Sequence, residues 1–297
     1  MSGSPFIIIP WEQDFLKGLR RLIMHTTHGH PGNAVVVFPN KRPRRYLIDI
    51  FRQHAGDSSQ RMPMLMPQLL DRAGFVRTCL DGWGAPALRT ASELDQIAIL
   101  AQSVRQAAVQ DSTLSPLTNL AEDMGLFFPW GVKLASLLDE CDSHMTDLTC
   151  AALQGGHGPI LESFGQSAAR FSELLVSNLS AIAQSYHELL QKNGLCTPGM
   201  SARTAAKLAC SSACQEWPRV LRGKTVIFAG FVLLSGVEDK LFRAFWKRGA
   251  LVCLHTDSNI ASASGWHWSC QDHKDWQRRW NAGMVLLDGN APAPCGR

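Results

Sequence analysis

The chain has 297 residues, of which 45% are hydrophobic and 18% are charged, a balance that suits a globular protein with a sizeable interior. It contains no run of 18 or more apolar residues and no secretory signal pattern at its start, so we expect a cytoplasmic protein with no membrane partner. Nine cysteines, none arranged as CxxC, indicate reduced thiols rather than a disulfide framework.

The charges are distributed unevenly along the chain. Residues 90–190 carry twelve acidic and three basic side chains, a net charge of −9, whereas the rest of the chain carries 13 acidic and 26 basic side chains, a net charge of +13. One interpretation is that the flanking segments face a polyanion. The other is that a solvated acidic domain lies beside a mildly basic one.

The first 75 residues alternate between strand and helix patterns. Continuous apolar runs at residues 6–9 and 34–38 are typical of strands buried on both faces of a parallel sheet. Each run is followed by apolar residues at helical spacing. Residues 62–66 form a candidate third strand, which the prolines at 63 and 67 would confine to an edge of the sheet.

From about residue 90 the apolar spacing becomes helical. Ser92 and Asp95 have the spacing of a capping box at the start of a helix. Further helices are expected at residues 130–142 and 165–192, and Asn193-Gly194 provides the C-cap of the last one. This part of the chain is therefore predicted to be entirely helical.

The α/β pattern returns after residue 215. Strands are expected at residues 225–232 and 251–255, with a helix between them that begins at Ser235-Gly236. We therefore predict a parallel Rossmann-like sheet formed by residues 1–75 and 215–260, interrupted by a large all-helical insert domain of residues 76–214.

Residues 261–297 form a tryptophan-rich tail. Five of the nine tryptophans lie after residue 245, and three of them show no clear helical or strand spacing. Because exposed indole rings are unfavourable in water, this tail either covers the sheet or awaits a partner surface.

A phosphate-binding loop is not expected in this chain. Gly223-Lys224-Thr225 matches the end of a Walker A motif, but Pro218 stands where its first glycine should be. The triplet also precedes its strand, whereas a phosphate-binding loop follows one. At the expected place, after the second strand, residues 39–45 (PNKRPRR) contain no glycine and two prolines, so we expect no ATP hydrolysis here.

The same turn carries the candidate binding residues. Lys41, Arg42, Arg44 and Arg45 lie at the start of a helix, where both the helix dipole and the basic side chains favour phosphate. The alternative is a solvated basic turn without a ligand. We predict DNA or phosphate contact at these four residues.

The sequence offers no catalytic residue and no cofactor. Glu238-Asp239-Lys240 resembles half of a nuclease metal site, but it opens a helix, where acids complement the dipole. His267, Cys270 and His273 have the spacing of zinc ligands without a clear fourth ligand, so we predict no metal site. GxSxG and GxGxxG motifs are both absent.

Several segments, in their order, resemble one family. They are similar to AddB-type subunits of the bacterial AddAB helicase–nucleases, which are RecC-like in plan. The segments are IIIPWEQDFLKGL, AVVVFPNKRPRRYL, LFFPWGVKLASLLDE, TVIFAGFVLLSGVEDKLFRAFWKRGALVCLHTD and HWSCQDHKDW.

This resemblance implies a function in DNA repair and recombination. It implies a helicase-like domain that has lost its ATP site and serves as a scaffold, contacting DNA and an ATP-hydrolysing AddA-type partner subunit. Cleavage in this family belongs to a C-terminal nuclease domain, so the chain would be an N-terminal portion of an ATP-dependent nuclease subunit and not an enzyme alone.

A small-molecule enzyme is the alternative function. It would have a Rossmann-like sheet and a helical lid, and it would bind its ligand at the carboxyl ends of the strands. The helix start at Ser235 and Gly236 would then hold an anionic group of that ligand.

Overall fold

The computed structural model describes residues 3–56, 64–110, 115–146, 148, 166–211, 216–262 and 265–287. The chain divides into two compact units, one formed by residues 1–85 and 204–297 and the other by residues 86–203. Among the described helices, none is long and apolar enough to cross a membrane. In chain order the elements are β1 (Phe6–Pro10), α1 (Phe15–Thr26), β2 (Ala34–Phe38), α2 (Arg42–Gly56), β3 (Gln68–Asp71), α3 (Arg72–Gly82), β4 (Arg89–Thr90), α4 (Glu93–Gln110), α5 (Ser115–Glu122), α6 (Met124–His144), α7 (Gln166–Lys192), β5 (Leu195–Cys196), α8 (Pro198–Cys210), β6 (Thr225–Ala229), α9 (Gly236–Trp246), β7 (Leu251–Thr256), α10 (Gln271–Trp280) and β8 (Met284–Leu286).

The first unit is built on a six-stranded sheet with the order β3-β2-β6-β7-β1-β8. The pairs that the described strands form are parallel, and their register places Val36 opposite Ile227 and Ile8 opposite Leu254. Strands β1 and β2 are buried along their whole length, which explains their continuous apolar sequences. The predicted α/β class with a parallel, Rossmann-like sheet is confirmed.

Helices α1 and α2 cover one face of this sheet. Leu19 and Leu22 of α1 and Leu47 and Phe51 of α2 are fully buried in one cluster with residues of five strands, such as Val36 of β2. Burying apolar side chains of this size contributes about 1.5–3 kcal/mol each to folding. The outer surface of the same two helices remains polar, and this surface carries the candidate site.

Helices α3, α9 and α10 cover the opposite face with aromatic side chains. The Phe228 ring of β6 stacks on Phe242 of α9 at a centroid distance of 4.1 Å and meets Phe75 of α3 edge-on at 5.3 Å. Offset stacked and edge-to-face rings are the favourable arrangements of aromatic pairs. The unit is therefore a three-layer α/β/α sandwich.

The predicted third strand was misplaced. Residues 64–67 are not a strand, and residues 62 and 63 lie outside the described part of the chain. The edge strand β3 instead begins at Gln68, directly after Pro67, and pairs with β2 through Leu69 and Leu70. Proline lacks the amide that a strand ladder needs, so the strand starts only once Pro67 has been passed.

The tryptophan-rich segment contains regular structure that its spacing did not predict. Residues 271–280 form α10, and residues 284–286 form β8, which pairs with β1 as the sixth strand. Trp276 and Trp280 are almost fully buried, and both rings contact Phe6 edge-on. The described part of this segment thus covers the sheet, although Trp268 remains 79% exposed.

The second unit is mostly helical, but its short strands β4 and β5 depart from the all-helical pattern predicted for residues 76–214. Helix α4 packs against α5, α6 and α7, and β4 and β5 form a two-stranded parallel sheet. In its interior Asp142, 2% exposed, accepts a hydrogen bond from Arg203 at 2.9 Å. His187 Nε2 lies 2.9 Å from the other carboxylate oxygen, in an orientation outside hydrogen-bond geometry.

Candidate functional site

The order of the strands defines a topological switch point at the carboxyl end of the sheet. Strand β2 continues into α2 on one face, whereas its neighbour β6 continues into α9 on the other face. Because the two connections diverge, the crevice that open α/β sheets have at such a point is expected beyond Phe38 and Ala229, the last residues of these strands. Ligands of open α/β sheets bind at such switch points.

The predicted basic turn, residues 39–45, directly follows β2 and forms one wall of this crevice. Asn40 Oδ1 accepts a hydrogen bond from the amide of Arg42, the first residue of α2, at 3.0 Å. Pro43, the second residue of the helix, has no amide hydrogen. Two of the donors that a helix N-terminus normally offers are therefore unavailable, which disfavours a loop wrapped around a triphosphate.

The four basic side chains of this turn do not have the same environment. Lys41 Nζ lies 3.9 Å from Asp71 Oδ2 at the end of β3, but the lysine side chain is 82% exposed, so this ion pair is weak. Within the described part of the chain, no carboxylate lies within 4.0 Å of the guanidinium groups of Arg42, Arg44 or Arg45. These three cations are available to an external anion.

Arg44 also lines a groove along the edge of the sheet. The groove has a volume of about 550 Å³, and Arg52, further along α2, contributes a second guanidinium to it. The remaining lining is mostly apolar, and includes Met64, Met66 and Phe51. The groove combines two cations with an apolar floor.

The basic turn belongs to a larger basic layer that sequence reasoning missed. Residues 11–56, which include α1 and α2, carry eight lysines and arginines against three acidic residues, a net charge of +5. The additional cations are Lys17, Arg20, Arg21 and Arg52. A charge count over this window would have found them, but only the packing of α1 beside α2 on one face places them on one layer.

The opposite wall of the crevice is occupied by the protein's own carboxylate. Ser235 and Glu238 form a capping box at the start of α9, in which Glu238 Oε2 accepts from the Ser235 amide at 2.9 Å. Glu238 Oε1 lies 3.1 Å from Arg72, whose guanidinium stands over the Phe231 ring. The capping box already uses the amides of Ser235 and Glu238, so these donors at the start of α9 are not free to bind a second anion.

A second switch point, between β1 and β7, is closed by protein groups. The Trp11 amide donates to the Thr256 carbonyl at 3.1 Å, and the Trp11 ring meets the His267 ring at 5.8 Å. Asp257 accepts amide hydrogen bonds from Asn259 and His267, at 2.9 and 2.7 Å. These hydrogen bonds hold the pKa of Asp257 below its ordinary value.

The structure does not place the three residues with zinc-ligand spacing, His267, Cys270 and His273, around a common point. Cys270 is buried and accepts from Thr256 Oγ1 at 3.0 Å, and His273 Nε2 lies 3.0 Å from the Phe231 carbonyl oxygen. His267 Nδ1 faces Ser269 instead. Among the described residues, no three His, Cys, Asp or Glu side chains are placed to hold a metal ion.

The structure gives local structural roles to two sequence motifs that were judged not to be functional sites, Gly223-Lys224-Thr225 and Glu238-Asp239-Lys240. Gly223 has a φ of 70° in the turn before β6, where glycine is favoured, and Thr225 is the first strand residue. Asp239 accepts from Trp280 Nε1 at 3.0 Å and pairs with Arg279 at 3.3 Å, so it joins α9 to α10.

No protein-family model matches the chain, and no curated protein is significantly similar to it.

Proposed function

We propose that this chain is a catalytically inactive, helicase-like scaffold module that contacts DNA through the basic turn between β2 and α2. The observation that carries the proposal is the placement of Arg42, Arg44 and Arg45 beside the switch-point crevice. These exposed or half-buried guanidinium groups have no ion-pair partner among the described residues. Guanidinium groups of this kind bind backbone phosphates, which fix position without reading sequence.

The surroundings of the turn favour a scaffold over a motor. A motor domain needs glycine amides around the triphosphate, and residues 39–45 have no glycine and two prolines. Together with the resemblance to AddB-type subunits, this supports a module of a double-strand-break repair nuclease in which an AddA-type subunit hydrolyses ATP.

The second unit has a different role in this proposal. This unit, residues 86–203, lies within the predicted helical insert of residues 76–214, and the acidic stretch 90–190, with its net charge of −9, disfavours contact with DNA. We propose that this unit contacts the partner ATPase subunit.

The alternative, a small-molecule enzyme, predicts an anion site at the start of α9. Glu238 already lies there and is 8% exposed, which weighs against this function. One experiment separates the two proposals: fluorescence anisotropy with labelled single- and double-stranded DNA, beside a thermal-shift series with Mg-ATP, other nucleotides and sugar phosphates. DNA binding without a saturable Mg-ATP shift supports the scaffold. A large saturable shift with a small ligand and no DNA binding would support the enzyme instead.

A further inference from the structure

A cleft between α1 and α2 concentrates positive charge at residues other than those of the β2–α2 turn. Its volume is about 430 Å³, and its walls are formed by Gln13, Asp14, Lys17, Arg20, Arg21 and His54. The described lining residues comprise three permanent cations and one carboxylate, a net charge of +2 when His54 is neutral. The cleft is therefore electropositive inside the basic layer.

Arg20 distinguishes this cleft from an ordinary basic surface. Its guanidinium carbon lies 5.7 Å from the centre of the Phe51 ring, which holds the group against α2. Its Nε is buried, and among the described residues no hydrogen-bond partner or carboxylate reaches it. Burial lowers the pKa of Arg20. A cation that has lost part of its hydration without gaining a counter-charge gains more than an exposed one from a bound anion.

Asp14, the one carboxylate among the described lining residues, is already engaged within α1. Asp14 Oδ1 caps the helix by accepting from the Lys17 amide at 3.0 Å, and Oδ2 lies 4.0 Å from Lys17 Nζ. On the other side, Arg21 donates to Gln13 Oε1 at 2.9 Å, which fixes the position of its guanidinium. The cleft thus has positioned donors and a surplus of positive charge.

We propose that the α1–α2 cleft binds a phosphate group. Arg20 and Arg21 supply guanidinium donors, whose geometry matches two phosphate oxygens, and Lys17 supplies a third cation. The phosphate belongs either to a small phosphorylated compound or to a nucleic-acid backbone, since the recognition chemistry is the same. This site shares no residue with Lys41, Arg42, Arg44 or Arg45, so it can be tested independently of the proposed DNA contact.

Inorganic phosphate is the direct probe, titrated against the full chain at constant ionic strength with the melting temperature as readout. The double variant Lys17→Gln/Arg21→Gln changes two exposed side chains, and Arg20→Lys keeps the charge but removes the guanidinium fork. Arg77→Gln, an exposed arginine on α3 beneath the other face of the sheet, is the matched control. We expect about a tenfold or greater loss of phosphate affinity in both cleft variants and none in the control, since one charge-assisted contact is worth about that much.

A second arm of the experiment identifies the source of the phosphate. A labelled oligonucleotide that binds the two cleft variants about tenfold more weakly than wild type assigns the site to backbone phosphate. Unchanged oligonucleotide affinity together with a loss of phosphate affinity assigns it to a small phosphorylated ligand. If wild type, control and both cleft variants respond alike to phosphate and to the oligonucleotide, the cleft is not a phosphate site.

Discussion

Arg72 Nε lies 3.1 Å from Glu238 Oε1, and this contact joins the first residue of α3 to the first turn of α9. The second carboxylate oxygen of Glu238 accepts from the Ser235 amide at 2.9 Å. One side chain therefore caps a helix and ties it to its neighbour on the same face of the sheet.

Removing this carboxylate should destabilise the first unit. We expect Glu238→Ala to lower the free energy of unfolding by about 1–3 kcal/mol, because the variant loses the capping box and leaves Arg72 without its partner. Urea unfolding measures this directly. Glu140→Gln, an exposed glutamate of α6, should change stability by less than about 0.5 kcal/mol. Equal stability of Glu238→Ala and wild type would show that the contact does not contribute.

His273 should make stability depend on pH. Burial lowers its pKa below the ordinary 6.5, and this outweighs the opposing effects of the Phe231 carbonyl and of Asp272. The unfolded chain therefore binds the proton more tightly than the folded protein. The contribution to stability is complete above the unfolded-chain pKa and is lost as the pH falls from there through the folded-state pKa.

The pH test compares urea unfolding of wild type and His273→Gln between about pH 7.5 and pH 5, the range in which histidine titrates. Glutamine retains a donor for the Phe231 carbonyl but does not titrate, so the variant should lose less stability on acidification than wild type does. His30→Gln, an exposed histidine, should keep the wild-type pH slope. A wild-type slope in His273→Gln would remove the buried imidazole as the cause.

The cysteines should divide into protected and reactive thiols. Cys79 and Cys253 are fully buried, and burial raises the pKa of both thiols, whereas Cys210 is exposed. Because only the thiolate reacts, iodoacetamide should label Cys210 in the folded protein and label the other two only in urea. Peptide mass spectrometry measures the rates. Labelling of Cys253 at the rate of Cys210 in the absence of urea would contradict the burial of β7.

Much of the first unit could be predicted because local signals agreed with the final environment. Strands β1 and β2 are continuous apolar runs, and they are buried on both faces. In the second unit, Ser92 and Asp95 were predicted as a helix start, and each side chain does accept a hydrogen bond from the other's backbone amide. Such signals lie within a few residues of one another.

The missed features depend on contacts between distant segments. Strand β3 has only Leu69 and Leu70 as apolar residues, and its pairing with β2 decides its position. Helix α10 is polar except for a few residues. The burial of Trp276 and Trp280 is therefore evident only from their contacts with Phe6, which is distant in the sequence. The basic layer likewise needs α1 and α2 to lie side by side. The spacing of apolar residues within one segment cannot predict contacts between distant segments.

The central claim is that the β2–α2 turn contacts DNA phosphates, and the salt dependence of DNA affinity tests it most directly. Replacing Lys41, Arg42, Arg44 and Arg45 by glutamine should weaken binding and reduce the slope of log affinity against log salt by about 0.7–0.9 for each phosphate that the variant no longer neutralises. Arg77→Gln should keep the wild-type slope. If the four-residue variant binds DNA with wild-type affinity and slope, the turn does not bind phosphate and the account fails.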